Sequence, residues 1–329
     1  MKTETKSISR RGLLQSGAVA VAAATLGGQG EALAQEGDYI VEGRDLRKDK
    51  RPVIHADGTK FGAYDPYGDF SDDSRLVTEH LFLPWEDVEL GGLSEADAYA
   101  QARNRKILVT IEPWSWAIDW NVSPGDLRNQ ILGGERDANM RAILDILKGF
   151  KSPVTIRWGQ EMENPFNRFT WAGWAPDDYI TAYRRMTGIV REMMPSAKMM
   201  WSPRGEKNLQ DYYPGDEYAD LIGLTVLGFD KYDEIAYGGP RYFAEGVKQG
   251  YELSAGYGKP IWIPDGAYEG ALPYLDRWVK EFTVKYPEYP LLEEVIYFND
   301  KEVWEWPHGL GLPDWRVVRG RPNYPVRGR

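Results

Sequence analysis

Residues 154–164 read Val154-Thr155-Ile156-Arg157-Trp158-Gly159-Gln160-Glu161-Met162-Glu163-Asn164. A short, mostly apolar run ends at a glycine and gives way at once to carboxylates and amides. Near-continuous apolar runs of this length are strands buried on both faces, as in a parallel sheet. Chemistry in such sheets sits just beyond the C-terminal strand ends. Seven similar runs flank this one: Phe61–Tyr64, His80–Trp85, Lys106–Ile111, Lys198–Ser202, Leu221–Val226, Pro260–Ile263 and Val295–Asn299. Helical stretches separate them. Ala138–Phe150 places Met140, Ile143, Leu144 and Leu147 on one face. Pro176–Met194 opens on Pro176-Asp177-Asp178, a helix start, and carries Tyr179, Tyr183, Met186 and Val190 as a stripe. Leu272–Val284 is a third. Strand–helix alternation repeated to eight strands over roughly 270 residues is the arithmetic of an α/β (β/α)8 TIM barrel. The alternative, a doubly wound sheet, normally carries a glycine-rich phosphate turn, and neither G-x-G-x-x-G nor a P-loop occurs.

Working outward, the barrel claims residues 61–317, with 35–60 a polar N-terminal strap and 318–329 a C-terminal tail. Residues 1–34 read as a twin-arginine signal peptide. Ser9-Arg10-Arg11-Gly12-Leu13-Leu14-Gln15 resembles the export motif, Ser16–Gly28 is a mild apolar run too short to span a bilayer, and Ala32-Leu33-Ala34 fits a cleavage site. The expectation is a mature protein in the periplasm or outside the cell. Of 329 residues, 40 are Lys or Arg and 50 Asp or Glu, a net charge of −10 that argues against a nucleic-acid surface. A hydrophobic share of 42% with 27% charged residues argues against disorder and against membrane insertion. The absence of Cys removes disulfides, thiolate nucleophiles and cysteine metal sites. His55, His80 and His308 lack ligand spacing, so neither a metal nor a cofactor is expected; carboxylate Ca²⁺ sites are the one kind left open. Tryptophan is in excess, 13 against 10 Phe, which points to a wide, wet stacking surface as well as a core.

Residues just past each run converge on one chemistry. Glu112-Pro113-Trp114-Ser115-Trp116 follows strand three, Trp201-Ser202-Pro203-Arg204 ends strand five, Pro264-Asp265-Gly266 ends strand seven and Phe298-Asn299-Asp300 ends strand eight. Carboxylates and indoles at one end of a barrel match glycoside hydrolysis, in which one carboxylic acid protonates the leaving oxygen and the other attacks the anomeric carbon or activates water.

These residues carry a resemblance. Ile156 to Asn164 resembles the R-W-G-H-E-M-N-G block of glycoside hydrolase family 26, a family of endo-β-mannanases with some mixed-linkage β-glucanases and β-1,3-xylanases. Thr110-Ile111-Glu112-Pro113-Trp114 resembles its T-W-E-P-W, and Tyr213-Pro214-Gly215-Asp216-Glu217-Tyr218-Ala219-Asp220-Leu221-Ile222-Gly223 its approach to strand six. Lys259 to Asp265 resembles K-P-I-M-I-A-E, and Tyr297-Phe298-Asn299 and Asp314-Trp315-Arg316 its W-F-N and D-W-R ending. The resemblance implies a retaining β-glycanase with Glu161 as acid/base and Asp265 as nucleophile. It implies a substrate of β-linked oligo- or polysaccharide: mannan, mixed-linkage glucan or bacterial exopolysaccharide. The protein is expected to be a monomer.

The chain departs from the family pattern at three places: Asp265 stands for Glu, Gln160 for His, and Leu227 for a Tyr that bonds the nucleophile, with Tyr232 able to reach in from the loop. Retaining chemistry wants carboxyls ~5–5.5 Å apart, and Asp is shorter by one methylene. The expected substrate-binding residues are Gln160, Trp114, Trp116, Trp158, Trp171, Trp174, Tyr232, Asn299 and Trp304. Glu112 and Glu163 are candidate supporting groups, and Glu269 a substitute nucleophile if its loop folds back. Aromatic neighbours should raise the Glu161 pKa. Read without the resemblance, Pro264-Asp265-Gly266 is a turn signature. The alternative function is a glycan-binding protein with a degenerate site, serving polysaccharide assembly or export.

Overall fold

A computed structural model describes residues 39–117, 119–166 and 168–321. The segment read as a signal peptide, and residues 322–329 of the tail, lie outside the described residues. Eight parallel strands close on themselves: β1 (Lys60–Tyr64), β2 (Leu76–Glu86), β3 (Lys106–Ser115), β4 (Val154–Trp158), β5 (Lys198–Trp201), β6 (Leu221–Phe229), β7 (Ile261–Glu269) and β8 (Leu292–Phe298). They pair in chain order. Closure runs from Glu294↔Lys60 to Phe298↔Tyr64. The fold is therefore the (β/α)8 barrel that the strand–helix alternation implies.

The helices are α1 (Leu93–Gln101), α2 (Pro124–Gly133), α3 (Asp137–Leu147), α4 (Pro176–Met193), α5 (Asp230–Tyr237), α6 (Phe243–Ser254) and α7 (Leu272–Glu281). On α3 the stripe Met140, Ile143, Leu144 and Leu147 is buried, and on α4 so are Tyr179, Tyr183, Met186 and Val190. Each such apolar side chain stabilises the fold by about 1.5–3 kcal/mol. α2 is bounded by local chemistry: the Ser123 hydroxyl accepts from the Asp126 N–H, Pro124 opens the first turn, and Gly134 ends the helix at φ +88°.

β7 corrects one reading. Pro264-Asp265-Gly266 is not a turn; the strand runs on to Glu269. A register shift against β6 between Gly223 and Thr225 accommodates Pro264, after which Thr225↔Asp265 and Val226↔Gly266 pair. Proline lacks the N–H a ladder needs and is tolerated at such an irregularity. The strap also has structure. Ile40–Val41 and Arg44–Asp45 form a small antiparallel hairpin. Beyond it the fully buried Lys50 donates to the Tyr268 carbonyl (2.8 Å), the Asp314 carbonyl (2.7 Å) and the Glu269 carboxylate.

The barrel interior holds two polar clusters. Near the strand starts, Lys106 and Thr78 both donate to the buried Glu294, and the Lys106 ammonium sits 3.9 Å from the Trp262 ring centroid. Nearer the strand ends lies a second cluster, around Arg157.

Candidate active site

Arg157 is fully buried and donates to three elements. Its Nε reaches Ser202 Oγ at 2.8 Å, one Nη reaches Thr110 Oγ1 at 3.3 Å, and the other forms an ion pair with Asp265 Oδ2. Thr110 in turn bonds His80 Nε2 at 2.7 Å. Asp265 is thereby fixed from beneath by one oxygen. Its Oδ1 is buried and has no partner among the described residues. Burial raises the Asp265 pKa, the neighbouring Glu161 charge raises it further, and Arg157 opposes both.

Glu161 lies past the end of β4, where the chain turns through Gly159 at φ +57° and Glu161 itself at φ +54°. A left-handed backbone is uncommon at a residue with a side chain; Glu42, Asp87, Asn104 and His308 share it here. The Glu161 N–H bonds the Ser202 carbonyl at 2.8 Å, tying the β4 end to the β5 end. Thr225 Oγ1 donates to Oε1 at 2.7 Å and Asn164 Nδ2 to Oε2 at 2.8 Å. The expected rise in pKa does not occur. Burial pushes the carboxyl up, but Arg168, Arg204, the Thr225 bond and Arg157 together hold it below its ordinary value.

Glu161 lines a cleft open to solvent, with Asn164, Phe166, Arg168, Arg204, Leu227, Tyr232, Trp304, Trp306 and Pro307. Trp304 is 45% exposed. Tyr232, at the start of α5, packs edge-on against Trp306 at 5.1 Å. Leu227 places an apolar side chain where the family pattern has a tyrosine.

Several expected sugar contacts are elsewhere. Trp158, Trp171 and Trp174 are buried, so their rings have no face free for a pyranose. Trp171 stacks on Phe169 at 4.8 Å and donates to the Gln160 carbonyl at 2.6 Å. Trp158 packs against Tyr179 and Tyr183. Asn299 is fully buried and acts as a clamp: it donates to Asp65 and Asp69 at 2.7 and 3.0 Å and accepts from the Val317 N–H at 2.9 Å. Gln160 is buried too, donating to Glu112 at 2.8 Å, though its Oε1 lacks a partner. Glu112 also accepts from the indoles of Trp114 (2.9 Å) and Trp116 (2.8 Å), which holds those rings at the barrel mouth; Trp116 is 42% exposed. Glu269 is paired with Lys50 and Arg319, which removes it as a substitute nucleophile.

Glu163, on the same turn as Glu161, accepts from the Gly205 N–H at 2.9 Å and the Glu206 N–H at 3.3 Å. Its other oxygen is buried without a partner, and burial raises its pKa to about 7. Sequence reasoning did not single out Arg168, Thr225 or Glu302. Arg168 lies in a long loop without a periodic signal, and its place over the cleft comes from a fork onto Glu302 at 2.8 and 3.2 Å.

A closed parallel barrel with a buried carboxylate past β4 and a half-buried one on β7, and with exposed indoles in its loops, has the architecture seen in glycoside hydrolases. The resemblance to family 26 read from the strand-end blocks stands. The structure superposes on a family 26 β-mannanase from Bacteroides ovatus with a TM-score of 0.51 at 17% identity, covering 86% of each chain. It superposes on a family 26 protein from a Muricauda species with a TM-score of 0.53 at 13% identity, covering 77% of this chain and 80% of that one. In sequence, the chain is 28% identical over 185 residues to a β-1,3-xylanase from a Vibrio species, and 27% identical over 185 residues to a β-1,3-xylanase from an Alcaligenes species. Each alignment covers 51% of this chain; the matched regions span 39% and 38% of those proteins. No family model matches the chain.

Proposed function

We propose that the protein is a glycoside hydrolase that cleaves β-linked polysaccharide, with Glu161 as acid/base and Asp265 as nucleophile or base. One observation carries the reading: Asp265 is held by Arg157 through a single oxygen, leaving Oδ1 free beside a second buried carboxylate. An unpaired buried acceptor of this kind costs about 1–3 kcal/mol. Arg157 orients the carboxylate and favours its ionised form. Thr225 and Asn164 fix Glu161 against rotation, and Trp304, Trp306 and Tyr232 offer apolar faces for sugar rings. The twin-arginine-like leader supports action outside the cytoplasm. Among the described residues no helix is long and apolar enough to cross a membrane.

Two features bear on the chemistry. The β-1,3-xylanase and β-mannanase relatives make β-1,3-xylan and β-mannan the first substrates to try. The Asp265 side chain reaches one methylene less far than the Glu of the family pattern, which brings inversion into play, because inverting enzymes separate their carboxyls by roughly 6.5–9.5 Å to admit a water. The test is to incubate the chain with β-mannan, β-1,3-xylan, lichenan and cellulose oligosaccharides, size the products and follow the nascent anomer by NMR. Retention with a sugar trapped on Asp265 supports double displacement, and inversion makes Asp265 a base. Binding without turnover, unaffected by Asp265→Asn or Glu161→Gln, would leave a glycan-binding protein. The low pKa of Glu161 in the free protein is the observation favouring that second reading.

A further inference from the structure

Two arginines line the cleft, and the hydrolytic scheme uses neither. Arg168 is spoken for by its fork onto Glu302. Arg204 differs. One Nη meets Glu206, its guanidinium carbon lies 5.3 Å from the Phe166 ring centroid, and its Nε and other Nη have no hydrogen-bond partner among the described residues. A guanidinium with a free edge presents paired donors matched to a carboxylate or other oxyanion. The Phe166 face holds that plane in place without consuming a donor. Elsewhere on the wall, Leu227, Trp304, Trp306 and Pro307 are apolar apart from the two indole N–H groups, Tyr232 adds a hydroxyl, the Asn164 amide is committed to Glu161, and the Glu161 charge itself opposes an anion.

We propose that this cleft takes an acidic glycan, its carboxylate or sulfate docking on the free edge of Arg204 with the Arg168 charge alongside. The inference rests on the reading of the cleft as a sugar site and narrows its substrate class. It also accounts for an awkward fact. Arg168 and Arg204 are the two charges that most strongly hold Glu161 ionised in the free protein, whereas a general acid must enter the reaction protonated. An anion seated on Arg204 offsets that field, so Glu161 gains its proton in the presence of the matching substrate. A neutral glycan leaves the field in place. The chain's overall charge of −10 works against a polyanion at long range, so discrimination must come from within the cleft.

The test compares matched pairs by titration calorimetry on the full chain. One pair is a β-linked oligosaccharide bearing a uronate and the same oligosaccharide with its carboxyls reduced to alcohols. The other is a sulfated oligosaccharide and its desulfated twin. At low salt, one acidic member should bind about tenfold or more tighter than its neutral twin, the gap narrowing as salt rises. Whichever pair shows the gap names the anion. Arg204→Gln should collapse the gap, Arg204→Lys should keep part of it, and Arg141→Gln, in an exposed pair with Glu192, should leave it intact. Equal binding within both pairs, or a gap that survives Arg204→Gln in a folded protein, would overturn the proposal. Charge-selective binding without product release would instead sink the hydrolase reading and leave this one standing.

Discussion

Two part-buried ion pairs sit inside one barrel, and they are built to different ends. Near the strand starts, Glu294 is closed on both sides: Thr78 donates to one oxygen and Lys106 to the other. Near the strand ends, Asp265 is closed on one side only, with Arg157 on Oδ2 and nothing on Oδ1. Lys106 is partly exposed, so water shares its charge, whereas Arg157 is wholly buried. Burial raises the pKa of both acids, while the facing cation opposes the rise. The lower pair has the form of a structural tie. The upper one has the same ingredients with an acceptor held in reserve, at the end of a barrel where active sites are built.

That contrast can be broken most sharply at Asp265. Asp265→Asn should bring turnover below detection and, by stranding the Arg157 charge, cost about 3–5 kcal/mol of stability in denaturant unfolding. Glu294→Gln should destabilise less, because Lys106 can rehydrate, and should leave kcat unchanged. If Glu294→Gln also abolished turnover in a folded protein, the two pairs would not be functionally distinct.

Glu161→Gln should lower kcat about 10²–10⁴-fold on natural glycans and much less on aryl glycosides with good leaving groups. Equal losses on both would take the acid role away from Glu161. Next in size is a stability effect at Glu163. Its pKa is raised from 4.5 to about 7 in the fold, mainly by burial. The folded state therefore holds a proton that the unfolded chain releases. The contribution is full below pH 4.5 and is lost as pH climbs through about 7, a change on the order of 3 kcal/mol. Glu163→Gln should flatten the unfolding free energy across that window. A slope unchanged in the variant would mean that the proton sits elsewhere. The smallest effect is expected at the rim, where Trp304→Ala should weaken oligosaccharide binding by about 1–3 kcal/mol with little change in unfolding. No change in binding would move the sugar path away from this wall.

Much of this was legible beforehand. The apolar run Val154–Trp158 coincides with β4, because nothing but burial on both faces shapes it. The turn signature of Pro264-Asp265-Gly266 is local, because Pro264 and Gly266 are turn-forming, and pairing with β6 overrides it. Burial of the indoles was illegible for a different reason. Trp171 and Trp304 both fall in loops, and whether a loop ring faces inward depends on partners far along the chain, such as the Gln160 carbonyl. Asn299 was likewise placed at the correct strand end, but Asp65 and Asp69, over two hundred residues earlier, turn it into a clamp. Loop packing of this kind leaves no periodic trace in sequence.

The backbone at Glu161 bears on how the chain would drift. A left-handed φ at a residue with a β-carbon costs on the order of 1 kcal/mol, which glycine would not incur and asparagine would reduce. Against that cost stand the two hydrogen bonds from Thr225 and Asn164, which glycine would leave unmade. The bend and its carboxylate are thus held as one unit, and any exchange at position 161 reports on both at once.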